Sequence, residues 1–491
     1  MFRPFSLVRS TFVSASALTL FALFTLGDAR IASAAVRLPR VFGSGMVLQR
    51  DAKVPVWGWG EAGEKVTVEI AGEKQATSVG ADGRWRVDLS PKPAGGPFEL
   101  KISGANKVVF KDVLFGDVWI CAGQSNMGFP LRRAKNAQAE IATATYLNLR
   151  FLTVPAKSAT EPQTDFDATW SPCSPKTAGE FSAVAYFFAR RLRETIKVPV
   201  GLIEVAWGGA SCEAWIEPRL LLEHPELSGL ASPARLEKTP ENQRAGALRD
   251  GMLEPLRPFA IKGVVWYQGE ANAGRAWQYR LLFPTLVESW RQDWEQGDFP
   301  FYFVQLANFM APRPQPGNSS WAELREAQSQ AARQLRNVGC AVAIDVGETA
   351  DVHPKDKKPV GERLAFLALA RTYGVDVVCD GPEFRSMRVD GNRVVLTFDN
   401  IDGGLKIGAN AQCDDAELRG FAVAGADRKF YWAKAEIDGE TVVVSASEVE
   451  RPVAVRYAWA DNPICNLTNG AGLPASPFRS DVWPGVTVDA R

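Results

Sequence analysis

Histidine is almost missing from this chain: His224 and His353 are the only two among 491 residues. That scarcity argues against a catalytic metal centre rich in imidazole, and it leaves any histidine-dependent chemistry only two candidates. The seven cysteines (121, 173, 212, 340, 379, 413 and 465) are widely spaced. They form neither a CxxC zinc pattern nor a dense disulfide framework, and an odd number leaves at least one thiol unpaired. Cys413 and Cys465 share one region and are the pair to test. Charge of one sign is also lacking, since 56 basic residues balance 56 acidic ones. No strong field therefore favours nucleic acid or an anionic membrane. Beyond the first residues no apolar stretch is long enough to span a bilayer.

The N-terminus itself reads as a secretory signal. Arg3 and Arg9 give a positive start, Phe12 to Leu26 is largely apolar, and Ala32-Ser33-Ala34 offers small residues for cleavage near Ala34 or Ala35. The expectation is a secreted or periplasmic protein with a signal at 1–35 and no stable membrane span after cleavage. The 15 tryptophans are numerous; most belong in cores, but flat rings also suit a cleft that stacks on sugars.

A chain this long implies more than one domain. Alternation at Val66, Val68, Ile70, at Trp85, Val87, Leu89 and at Phe98, Leu100, Ile102 predicts half-buried strands in a small sandwich over 36–111. Val113 to Ala122 is nearly continuous in apolar residues, as in a strand buried on both faces of a parallel sheet. Similar strands are expected at 198–205, 261–267, 301–306 and 340–344. Helices are expected at 181–196, 279–294, 321–335 and 359–373. Strand and helix in alternation predict an open α/β sheet over 112–381. The segments 155–175 and 224–247 read as long loops or small insertions. Asp390-Gly391-Asn392 and Asp438-Gly439-Glu440 are hairpin turns between strands, which predicts a second β domain over 382–491.

Four polar clusters fall at the carboxyl ends of the predicted central strands, where such sheets bind ligands. They are Gly123-Gln124-Ser125-Asn126, Trp207-Gly208-Gly209-Ala210-Ser211, Gln268-Gly269-Glu270-Ala271-Asn272 and Asp351-Val352-His353-Pro354. Ser125 is expected at a strand-to-helix turn. There free N–H groups and the helix dipole favour developing negative charge, as acyl transfer requires, although an N-cap serine occupies the same place. Gly208-Gly209 lets the backbone approach a ligand, or forms a tight turn. Gln268 and Asn272 can donate side-chain N–H groups, or satisfy loop backbone. Asp351, two residues before His353, can fix the tautomer of the ring so that its other nitrogen takes a serine proton. His224 lies in a charged segment away from any strand end, which leaves His353 as the better base.

Together these blocks resemble the sialate O-acetylesterase family of the SGNH-hydrolase superfamily. The likeness runs from Phe42-Gly43-Ser44-Gly45-Met46 through Gly116-Asp117-Val118-Trp119, Gly123-Gln124-Ser125-Asn126-Met127, Trp207-Gly208-Gly209, Trp266-Tyr267-Gln268-Gly269-Glu270-Ala271-Asn272 and His353-Pro354, with Lys358 and Arg363-Leu364-Ala365 after it. It continues to Arg456-Tyr457-Ala458-Trp459, Asn466-Leu467 and Pro477-Phe478-Arg479. It implies an α/β fold: an SGNH-type three-layer α/β/α core with a parallel sheet, flanked by N-terminal and C-terminal β-sandwich-like domains. It also implies a serine esterase that removes O-acetyl groups from sugars with no metal or cofactor. On that resemblance Ser125 is the nucleophile and His353 the base. Asp351 is the preferred acid, with Glu270 as the alternative. The N–H groups of Ser125 and Gly209 with a side chain from Gln268 or Asn272 form the oxyanion hole. The expected partner is an acetylated carbohydrate: O-acetylated sialic acid first, acetylxylan or another polysaccharide as the alternative. A non-catalytic glycan-binding protein is the reading from another class. A sialate carboxylate calls for a cation, for which Arg132, Arg133 and Arg275 are candidates.

Overall fold

The computed structural model describes residues 35–408 and 417–490. The signal segment and Cys413, hence the Cys413–Cys465 pair, lie outside the described residues. Seven strands come first among the described residues: β1 (Val47–Gln49), β2 (Val54–Trp59), β3 (Lys65–Ile70), β4 (Glu73–Ser78), β5 (Arg84–Leu89), β6 (Gly95–Ser103) and β7 (Lys107–Gly123). The alternating stretches at 66–70, 85–89 and 98–102 fall in β3, β5 and β6. β3, β4, β6, β1 and the first half of β7 form one sheet, while β2 and β5 pair separately.

β7 does not stop at 111. It runs for 17 residues, and its apolar second half enters the central sheet. There it is joined by β8 (Tyr146–Thr153), β9 (Ser171–Cys173), β10 (Val200–Ala206), β11 (Gly263–Tyr267), β12 (Phe301–Val304) and β13 (Val338–Ala341), in the order β13-β12-β11-β7-β10-β8-β9. All neighbours are parallel except the edge strand β9, which is antiparallel to β8. β8 was not expected, because Asn148 and Arg150 interrupt its apolar run.

Burial on both sides explains the apolar character of β7. Val118, Ile120 and Ala122 pack towards the helices Ala276–Trp294 and Ser320–Gln334. Trp119 and Cys121 pack towards Ala183–Ile196 and Lys357–Arg371. The result is an α/β/α sandwich whose helices begin and end within a few residues of their expected positions.

Beyond residue 382 the chain is again β. The strands Glu383–Asp390 and Arg393–Asp399, and Lys434–Asp438 and Thr441–Ser445, form the two expected hairpins of one four-stranded sheet. A second four-stranded sheet includes Phe421–Ala424 and Ala454–Tyr457, and the two share a core of their own. No helix among the described residues is long and apolar enough to cross a membrane.

Candidate active site

Three of the four polar clusters start from one level of the sheet, because Gly123 is the register partner of both Ala206 on β10 and Tyr267 on β11. Gly123 has φ +140°, and a Cβ there would meet the Tyr267 carbonyl oxygen at 2.1 Å, so only glycine lets the chain leave β7 this close to β11. The Gln124 N–H then donates to Tyr267 O at 3.0 Å, and the Met127 and Gly128 N–H groups both donate to Gln124 O. Ser125 sits in this single turn. The expected helix does not follow. Phe129 precedes Pro130, which disfavours helical backbone, and Pro130 instead bridges to Ser182. No helix dipole therefore acts at Ser125.

The Ser125 hydroxyl lies 2.8 Å from His353 Nε2. On the other side of the ring, Nδ1 lies 3.0 Å from Asp351 Oδ1, which also accepts the His353 backbone N–H at 2.9 Å. That N–H, and the ring beside it, hold the Asp351 carboxyl below the usual carboxylate range. His224 stands apart, its Nδ1 accepting from the Glu226 N–H.

Glu270 does not touch the imidazole. Its Oε1 accepts from Asn126 Nδ2 at 2.5 Å, and burial of the carboxyl end pushes its pKa up. Oε2 is out of reach of water and has no partner among the described residues. Asn126 also donates to Val352 O at 3.0 Å and accepts from Lys357 Nζ at 2.5 Å. This one amide thus joins the serine turn, the histidine loop and the Glu270 block. Burial lowers the Lys357 ammonium to about 7. The sequence pattern gives no sign of this role for Lys357, and it shows Asn126 only as part of the Gly-Gln-Ser-Asn block.

The residues expected at an oxyanion hole divide. Gly208 is beside Ser125: a Cβ on it would lie 3.6 Å from the serine Cβ. The Gly208 and Gly209 carbonyls accept from Asn242 Nδ2 at 2.8 Å and Gln243 Nε2 at 3.0 Å. The Gly209 N–H, like that of Ser125, has no backbone partner among the described residues. Gln268 and Asn272 are a correction. Both are fully buried, Gln268 donating to Ala210 O and to Asn272 Oδ1, and Asn272 donating to Glu213. They brace the loops and do not line the cavity. The amide that does is Gln124.

That cavity, of about 240 Å³, is lined by Ser125, His353, Gly208, Gln124, Phe129, Arg133 and Glu204, among others. Of the three candidate arginines, Arg132 pairs with Glu180 and Arg275 with Glu213. Arg133 reaches the cavity with its guanidinium over the Phe129 ring at 4.9 Å. A larger cleft of about 830 Å³ lies in the C-terminal β region and contains neither histidine.

A serine and a carboxylate on opposite nitrogens of one histidine, at the carboxyl edge of a parallel sheet between two helix layers, form the arrangement of a class, the serine hydrolases. Within it, the chain belongs to the carbohydrate esterases described as sialic acid-specific acetylesterases, whose family model matches residues 115–369. It is 30% identical to the sialate O-acetylesterase of Rattus norvegicus over 89% of this chain and 93% of that protein. The Homo sapiens sialate O-acetylesterase is also 30% identical, over 93% of this chain and 95% of that protein. Among solved structures, a carbohydrate acetylesterase from Xanthomonas citri matches with a TM-score of 0.84 at 39% identity, covering 91% of this chain and all of that one.

Proposed function

We propose that the protein removes O-acetyl groups from sialic acids by a two-step acyl transfer, with Ser125 as nucleophile, His353 as general base and Asp351 as the carboxylate that orients it. The observation that carries the reading is the unbroken series from Ser125 Oγ through the ring to Asp351 Oδ1, at 2.8 and 3.0 Å. Ser125 Oγ attacks the acetyl carbonyl as His353 Nε2 takes its proton. The bond to the sugar oxygen breaks, and that oxygen leaves with the proton from Nε2. Water, deprotonated by the same nitrogen, then attacks the acyl-serine, and acetate departs as Ser125 regains its proton. The N–H groups of Ser125 and Gly209 serve the oxyanion, with the Gln124 amide in place of Gln268 and Asn272.

The sialate reading draws on the names of the relatives and on Arg133, an arginine fork at the cavity suited to a substrate carboxylate. Export belongs to the same proposal, since the 1–35 segment has the character of a cleaved signal; N-terminal sequencing of secreted protein tests it.

Ser125→Ala should abolish acetate release from an aryl acetate, by at least about 10³-fold, with an unchanged melting temperature. Retained turnover overturns the assignment. Comparing 9-O-acetyl sialic acid with acetylxylan tests the substrate, and Arg133→Ala should raise KM for the former alone.

A further inference from the structure

The acyl transfer above leaves one carboxyl group of the cavity without a task. Glu204 stands on β10, where Ile203 and Val205 enter one apolar core and Leu202 the other. A glutamate inside a parallel strand buried on both faces runs against its surroundings, and such a group is costly to bury unless its oxygens are used. One oxygen is used within the protein. Oε2 accepts the Ser182 N–H at 3.2 Å and the Thr153 hydroxyl at 3.5 Å. Oε1 has no hydrogen-bond partner among the described residues, and Glu204 lines the same cavity as Ser125 and His353.

The opening towards Oε1 depends on Gly128. A Cβ at that position would lie 3.5 Å from Oε1 and 3.3 Å from the Ala206 Cβ, so a side chain there would crowd the approach. Burial lifts the carboxyl to about 7. In the protonated form it can both give and accept a hydrogen bond, as a sugar hydroxyl does. The side chains of Phe129 and Ala206, which line the same cavity, carry only carbon.

We propose that Glu204 Oε1 binds a free hydroxyl beside the acetylated one, making the site selective for acetyl esters of polyols with an adjacent unesterified hydroxyl. The assignment rests on the esterase reading. It makes Glu204 a specificity residue, acting through the partner that a hydroxyl-lacking substrate fails to supply.

The test is a ratio. kcat/KM is measured for a monoacetylated methyl glycoside with a free neighbouring hydroxyl and for the same compound with that hydroxyl O-methylated. The wild type, Glu204→Gln and Glu204→Leu are compared, each checked by its melting temperature. The wild type should prefer the free hydroxyl by roughly 10- to 100-fold, the cost of leaving one buried polar group unpaired. Glu204→Leu should bring the ratio close to one, and Glu204→Gln should keep part of it. A wild-type ratio near one, or a ratio unchanged in Glu204→Leu, overturns the proposal even if both rates fall. If Glu204→Leu does not fold, the wild type and Glu204→Gln decide in the same way. Hydrolysis of 4-nitrophenyl acetate by the wild type is measured alongside, and its absence would instead overturn the esterase reading.

Discussion

Asp351 and Glu270 are both carboxylates near one imidazole, and their surroundings separate them. Asp351 is hydrogen-bonded to the ring and 37% exposed at its side chain; Glu270 is held by Asn126 and faces a buried lysine. Asp351→Asn should lower kcat on the order of 10²- to 10³-fold, with KM little changed, because the ring loses its tautomeric anchor. Glu270→Gln should cost less than about tenfold in kcat but lower the melting temperature, since it leaves the Lys357 ammonium without its opposing charge. Kinetics and thermal melts on the same two variants decide. Much of this was legible beforehand, because a chain with two histidines and one Asp-x-His offers few ways to build a base. The direction of an amide was not. Gln268 and Asn272 occupy loop positions that suit donation into a cleft, but side-chain direction depends on the partners a loop finds, here Ala210 and Glu213.

Segments with a plain apolar pattern were legible at the level of strand and helix, as at β7, β10 and β11. The pattern failed where local chemistry mixed signals. Tyr146–Thr153 carries Asn148 and Arg150 inside an apolar run, yet it pairs with β10 and brings Thr153 to Glu204. The 224–247 stretch reads as a charged loop or small insertion, and its end holds the glycine turn through Asn242 and Gln243. A trans peptide is planar, so anchoring the Gly208 carbonyl also fixes the direction of the Gly209 N–H. Asn242→Ala should therefore reduce kcat roughly 10-fold with little change in KM, a loss of about 1.4 kcal/mol in transition-state stabilisation. An effect confined to KM would place Asn242 on the substrate instead.

For the molecule as a whole, Glu204 makes stability depend on pH. Its folded pKa, about 7, lies above the ordinary 4.5, so the folded state holds the proton more tightly. Its burial costs nothing in strongly acidic solution, costs progressively more as pH rises from about 4.5 to 7, and is at full cost above that. At about 1.4 kcal/mol per unit, the cost reaches ~3 kcal/mol. Denaturant titrations of wild type and Glu204→Gln should agree near pH 4.5 and diverge by up to that amount at pH 8, with the variant the more stable.

β7 belongs to two sheets at once: it starts in the N-terminal β layer and ends one residue from Gln124 and two from Ser125. The first module is therefore no detachable cassette. A recombinant chain begun at residue 112 would strip the root from the strand that carries Ser125, and a cut in that strand should silence the enzyme even though every residue of its chemistry lies downstream.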